Sequence, residues 1–219
     1  KDSNDKFFEE TLKGGKGTND QELLRYFVDH SAEAIDWLDT KGITLSNLTI
    51  TGGMSEKRTH RPADGSAIGG YLVDGLVRNV LEEKIPLFVD ADVTDLVEEN
   101  GQIDGVKVKM KDDKEKTVKA KAVVVTTGGF GANEKLITQY TPELKNYVTT
   151  NQEGTTGDGI QMIQKVGGAL VDMKEIQIHP TVQQSDAFLI GEAVRGEGAI
   201  LASQKGERFV NELDTRDKV

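Results

Sequence analysis

Ala122-Val-Val-Val-Thr-Thr-Gly-Gly-Phe-Gly131 carries the strongest architectural signal in the chain. The unbroken valine run at 123–125 predicts a strand buried on both faces, the pattern of a parallel sheet. Gly128, Gly129 and Gly131 follow at once. They suit a strand-end turn, or a backbone that comes close to a pyrophosphate or ribose. Upstream, Leu87–Val97 and Val106–Met110 predict two more strands, with turns at Asn100-Gly101 and across Lys111–Lys116. The alternation in 106–110 marks that strand as half-buried.

Helices precede and follow this block. Ser3 or Asn4 caps a short helix to Leu12, with Phe7, Phe8 and Leu12 on one side. Asn19 or Asp20 caps a longer one running to about Asp39, where Leu23, Leu24, Phe27, Ala34, Ile35 and Leu38 follow the helical period and Gly42 ends it. His30 reads as a helix-surface residue. Gly65–Lys84 predicts a third helix with Leu72, Leu76 and Val80 on a stripe. Asn133–Gln139 is a short helix stopped before Pro142. Thr155-Thr-Gly-Asp-Gly159 leads into a helix ending at Val166, with Asp158 as its cap or with its N-terminal amides turned to a negative group. Ala169–Ile178 predicts a strand ended by His179-Pro180, where the proline holds His179 extended.

Bulk properties narrow the function. The chain has 219 residues, 36% hydrophobic and 29% charged, which is globular composition. Its net charge of −10 argues against nucleic acid and anionic membrane surfaces, so any anion site must be a local basic pocket. With no cysteine, disulfides, thiolate catalysis and cysteine-bound metal or haem are excluded. His30, His60 and His179 lack metal-ligand spacing, and no metal site is expected. No apolar run approaches the roughly 18 residues of a membrane-spanning helix.

Two stretches gather chemistry. Thr51-Gly-Gly-Met-Ser-Glu-Lys-Arg-Thr-His-Arg-Pro62 sets Arg58, His60 and Arg61 beside flexible glycines, as a solvated basic loop or one that serves a phosphate or another negative edge. In Glu192–Asp217, a turn at Gln204-Lys205-Gly206-Glu207 folds one half back on the other. That brings Glu192, Arg195 and Arg216 together, as surface ion pairs or as a carboxylate between guanidiniums that holds an anion or relays a proton.

The motifs in order resemble the flavocytochrome c type of fumarate reductase, related to the succinate dehydrogenase flavoprotein. The likeness rests on Thr51-Gly-Gly with Arg58-Thr-His-Arg-Pro62, Thr126-Thr-Gly-Gly-Phe-Gly131, Thr156-Gly-Asp-Gly159, Ile178-His-Pro-Thr181, Glu192-Ala-Val-Arg-Gly and Arg208-Phe-Val-Asn-Glu-Leu-Asp-Thr-Arg216, and it spans residues 1–219. It implies an α/β and α+β fold: residues 1–173 as part of an FAD-binding domain of the two-dinucleotide-binding type, and 174–219 as the start of a mobile capping domain. The Gly-x-Gly-x-x-Gly strand–helix unit is absent from the sequence. The segment is expected to be a middle piece of a longer protein, inactive alone.

The resemblance also implies site residues. FAD is the expected cofactor, contacted by Thr51, Gly52, Gly53, Thr59, His60, Arg61, Val93, Thr127, Gly128, Gly129, Thr156, Gly157 and Asp158. His179, Thr181 and Gly191 are expected at the substrate. Arg216 is the expected proton donor in reduction of fumarate to succinate, fed by Glu192 and Arg195. Gly191 stands where these fumarate enzymes carry a hydroxyl residue. Urocanate, an acrylate-like acid or a steroid enone is therefore an alternative substrate, and a binding or interaction module without turnover is a further reading. The electron donor, haem or FMN, lies outside the segment. The resemblance suits an extracytoplasmic or periplasmic setting, while the residues themselves leave the compartment open.

Overall fold

A computed structural model describes residues 1–219 in two compact units, one comprising 1–87, 179–181 and 190–219, the other 88–178 and 182–189. In the first unit, helix α1 (Asn4–Gly14) starts where the Ser3 hydroxyl accepts the Lys6 amide at 3.1 Å. Helix α2 (Gln21–Thr40) starts the same way, with the Asp20 carboxylate accepting the Leu23 amide at 3.0 Å. A side-chain oxygen satisfies one of the amides that every helix start leaves unpaired.

The stripe expected on α2 is turned. Leu24 and Val28 are the buried residues, while Leu23 and Phe27 are 67% and 56% exposed. The Phe27 ring instead meets Phe7 of α1 edge-on at 6.1 Å. Strands β1 (Asn47–Thr49) and β2 (Thr59–Arg61), which the sequence did not announce, pair antiparallel and make the 50–58 stretch a hairpin loop. Helix α3 (Ile68–Glu82) begins three residues later than expected, and Gly75 is its buried residue. The Ile43 side chain lies where a Gly75 Cβ would be, 2.6 Å away.

In the second unit, β3 (Ala91–Glu99), β4 (Gln102–Met110) and β5 (Glu115–Lys119) form an antiparallel meander in that order. Asn100 and Gly101 join the first pair, both at positive φ (54° and 80°), as a two-residue hairpin turn requires. Strand β5 takes the end of the stretch expected to be only a turn at 111–116. Helix α4 (Glu134–Tyr140) is capped by Asn133, and α5 (Asp158–Lys165) by Gly157 at φ 80°. Asp158 is therefore the first helical residue, not the cap. A short hairpin, β6 (Val182–Gln183) with β7 (Phe188–Leu189), completes the unit.

Two expected strands are not formed. Residues 122–126 pair with no strand, and Val124 is 84% exposed. Residues 169–178 likewise join no ladder. An apolar β-former becomes a strand only when a neighbouring strand accepts its hydrogen bonds, and neither segment has one.

Gly75 tests how tightly the first unit is packed. Gly to Ala inside a helix ordinarily stabilises by about 0.5–1 kcal/mol. Here the new methyl meets the fully buried Ile43. Gly75→Ala should therefore destabilise, by about 1–3 kcal/mol, in urea unfolding. Adding Ile43→Val should recover part of that loss, so that the pair is strongly non-additive.

Candidate functional site

The first unit assembles the charged cluster. Glu192 opens helix α6 (Glu192–Gly196). Its Oε2 accepts Arg216 Nε at 3.0 Å and Nη2 at 2.9 Å, and its Oε1 accepts the Gly52 amide at 2.8 Å. Two donors from one guanidinium fix the plane of Arg216 as well as its position. Burial pushes the Glu192 carboxyl up. The hydrogen bonds from Arg216 and Gly52 and the charges of Arg216 and Arg195 outweigh it, so the carboxyl titrates below its usual range.

Arg195 joins the cluster by charge and not by a bond to Glu192. It is 4% exposed, its Nη1 donates to the Glu212 carbonyl at 2.9 Å, and its Nε and Nη2 have no partner. The Gln204–Glu207 turn forms as expected, with Gly206 at φ 80°, the Ser203 amide on the Glu207 carbonyl at 2.8 Å and Ala202 bridged to Arg208.

Glu212, which lies in the Arg208–Arg216 motif but was given no role there, anchors this return segment. It is 3% exposed. Its carboxylate accepts Arg208 Nε at 3.1 and 3.0 Å, Arg208 Nη2 at 2.5 Å and the Leu201 amide at 2.8 Å. The same residue's carbonyl holds Arg195. The available signal was an arginine and a glutamate four residues apart beside the turn.

His179 and Thr181 stand together. His179 Nδ1 accepts the Thr181 amide at 3.3 Å, and the Thr181 hydroxyl donates to the Ile190 carbonyl at 2.7 Å. An Nδ1 that accepts leaves the neutral ring's proton on Nε2. Burial, then the charges of Arg216 and Arg195, push the His179 pKa down from 6.5, so the ring is neutral near pH 7. A Cβ added at Gly191 would meet nothing within 4 Å, so space is open beside Glu192.

The hairpin loop carries Thr51, Gly52 and Gly53. The Thr51 hydroxyl lies 3.3 Å from that of Thr59, and the Gly53 amide donates to the Leu213 carbonyl at 3.3 Å. Thr59, His60 and Arg61 form β2, and His60 Nδ1 donates to the Leu45 carbonyl at 3.0 Å. Arg58 is not a free basic group of this loop. It pairs with Asp2 through Nε at 2.8 Å and Nη2 at 2.6 Å, with Glu10 at 2.6 Å, and stacks on Phe7 at 4.8 Å. Those bonds pin the loop to α1.

In the second unit a cavity of about 360 Å³ is bordered by Val93, Val123, Val125, Thr127, Asp158 and Met162. That lies within the roughly 300–1,000 Å³ of small-molecule sites. It gathers Val93, Thr127 and Asp158 from the expected cofactor set. Gly128 and Gly129 have nothing within 4 Å of where a Cβ would stand, so their backbone is open to approach. Thr156 donates to Asp158 at 2.8 Å, and Gly157, at φ 80°, packs under Phe130 and Leu136. No group of three or more acidic, histidine or cysteine side chains has metal-site geometry, and no helix is long and apolar enough to cross a membrane.

The family described as FAD binding domain matches residues 1–219. The chain is 50% identical over its full length to an NADH:fumarate oxidoreductase of Klebsiella pneumoniae (strain 342), and covers 24% of that protein. It is 39% identical to a fumarate reductase (cytochrome) of Shewanella frigidimarina over 99% of the chain and 38% of the relative. The open conformation of a flavocytochrome c3 fumarate reductase superposes with a TM-score of 0.86 at 35% identity, over 99% of this chain and 39% of that one. The chain thus spans about a quarter to two-fifths of the length of these relatives.

The Arg208–Glu212 pair predicts an acid response. Arg208, then the Leu201 amide, hold the Glu212 carboxyl at about 2, below its usual 4.5. Its folded-state pKa is depressed, so its contribution is complete above about 4.5 and fades as pH falls towards 2. Melting temperature should drop more steeply with acid across that window in the native chain than in Glu212→Gln. Parallel curves would show that the pair adds nothing.

Proposed function

The chain belongs to the family of FAD binding domains, and from that premise we propose that it is part of an FAD-dependent reductase of an unsaturated carboxylic acid, with fumarate, reduced to succinate, as the first choice. The observation that carries this reading is the two-donor grip of Arg216 on Glu192 at 3.0 and 2.9 Å, beside a second, buried arginine. The residues fit the cofactor. Thr51, Gly52 and Gly53 in one unit offer a small-residue loop. In the other, Val93, Thr127 and Asp158 border the cavity, Gly128 and Gly129 offer open backbone, and Thr156 and Gly157 shape the start of α5. Thr59, His60 and Arg61 support the loop through β2. When bound, FAD supplies the hydride that saturation of a C=C bond requires.

The protein's own groups supply the rest. His179, neutral with its proton on Nε2, donates to a substrate carboxylate, and Thr181 holds that ring in place. Arg216 gives a proton to the alkene carbon next to the one that takes the hydride. With a free-solution pKa above 12, an arginine can do this only if a proton is returned to it at once. Glu192, bonded to its Nε and Nη2 and itself ionised, is the return route for a proton taken up from solvent, which restores both groups, and Arg195 steadies the carboxylate's charge. The guanidinium also offsets negative charge that builds on the substrate during reduction.

Gly191 favours a second reading. Its open side leaves room for an enoate bulkier than fumarate, such as urocanate. The division at residue 173, with 174–219 opening a cap on the substrate side, belongs to the same proposal. So do a haem- or flavin-bearing electron donor outside residues 1–219 and an extracytoplasmic setting. The likeness to a cytochrome-type and an NADH-type relative supports either donor.

The decisive variant is Arg216→Lys in the flavin-loaded full-length protein. Lysine offers a point charge in place of a planar fork. kcat on the preferred acid should fall on the order of 10³-fold, near the middle of the range for general acid groups, with KM moving far less. Reduction of the flavin by an artificial donor should continue. Near-normal kcat on fumarate and on every other enoate tried would leave the cluster a plain ion network. Preference for a larger acid, reversed towards fumarate by Gly191→Thr, would select the second reading.

A further inference from the structure

Glu192 does more than face Arg216. Its second oxygen, Oε1, takes the amide of Gly52, 140 positions away in sequence, at 2.8 Å. The neighbouring amide, Gly53, is held by the Leu213 carbonyl at 3.3 Å, three residues before Arg216. A Cβ on Gly52 would stand 2.8 Å from Glu192 Oε1 and 3.2 Å from the Asp214 carbonyl. The C-terminal residue of α6 is equally close, since a Cβ on Gly196 would meet the Ile50 carbonyl at 2.7 Å. The backbone from Ile50 to Gly53 is thus pressed against both α6 and the 213–214 chain, with the Glu192 carboxylate at the centre of the contact.

We propose that Glu192 is a clamp on the Thr51–Gly53 loop, and that this one carboxylate couples the loop to the orientation of Arg216. The inference rests on the proposed function, in which the loop touches the cofactor and Arg216 delivers the proton. The two oxygens serve different partners, Oε1 the loop and Oε2 the guanidinium. A carboxylate accepts from an amide more strongly than a neutral oxygen does. Because both partners are held by one rigid group, a shift of the loop turns the carboxylate against Arg216, and loss of the arginine's pull frees the carboxylate towards the loop. Coupling of this kind is reciprocal. Gly52 is then glycine for a reason apart from cofactor approach: any side chain there would push on the carboxylate that aims the proton donor.

Amide hydrogen exchange tests the clamp without substrate or turnover. In the full-length, flavin-loaded protein, Glu192→Ala should speed exchange at Gly52 on the order of tenfold, the loss of one charge-assisted hydrogen bond. Glu192→Gln, which keeps a neutral acceptor, should speed it less and weaken FAD about fivefold in titrations of the apoprotein. Arg216→Lys should slow exchange at Gly52 further, because the carboxylate, freed from the guanidinium, settles towards the loop amide, and unchanged exchange there would show that the coupling is absent. Gly52→Ala, measured at saturating FAD, should lower kcat and leave KM nearly unchanged. Unaltered exchange at Gly52 in Glu192→Ala would overturn the clamp. So would equal loss of protection in Arg216→Lys, which would mean general loosening. If the exchange and FAD results hold but no enoate is reduced, the clamp stands and the proposed reaction falls.

Discussion

The first unit depends on a carboxylate shared between a backbone amide and a guanidinium. Glu192 draws together the loop after β1, the start of α6 and the stretch that carries Arg216, with Gly52 140 positions before Glu192 and Arg216 24 after it. Such closure is costly in chain entropy and must be offset by contacts that only the folded chain makes. Two carboxylates, one buried and one half-buried, supply them. Glu192 ties the loop to Arg216, and Glu212 ties the return segment to Arg208 and Leu201 while its carbonyl seats Arg195. Both ties meet in the short stretch from 212 to 216, which is anchored at each end.

Local chemistry was legible wherever a residue acts on its own neighbours. Ser3, Asp20 and Asn133 cap the helices they precede, and Asn100-Gly101 makes the tight turn its residue types require. Pairing was not legible. The valines at 123–125 and the 169–178 stretch have the composition of strands, yet composition reports only what a strand would bury, not whether a neighbour is there to bond. Strand β5 is the converse case. Its Glu, Lys and Thr residues give no apolar signal, and it exists because β4 presents an edge from Gly105 to Lys109 for it to join.

The candidate site shows the same divide. Glu192 and Arg216 could be matched in advance because a glycine turn folds one towards the other. The partner of Arg195 could not, because it is a main-chain carbonyl, which every residue has. Gly52 was noticed as a glycine that lets a ligand approach, while the neighbour that demands a glycine is the Glu192 carboxylate. The Arg58, His60 and Arg61 group looked like one basic patch. In the structure Arg58 is bound to Asp2 and Glu10 and His60 to a carbonyl, so charge counted along the chain overstated what the loop can offer a ligand.

Net charge misleads in the opposite direction. A chain at −10 should repel a carboxylate at long range. Around Glu192 the balance is reversed: two arginines face one carboxylate, and their field helps hold His179 neutral. Arg195 is 4% exposed with Nε and Nη2 unpartnered, a costly arrangement for buried polar groups. The backbone donor on the Nδ1 of His179 leaves its proton on Nε2, and an uncharged ring avoids repulsion from the two arginines. A net negative chain can therefore hold a locally positive cluster, because the field at close range is set by the few groups water does not screen.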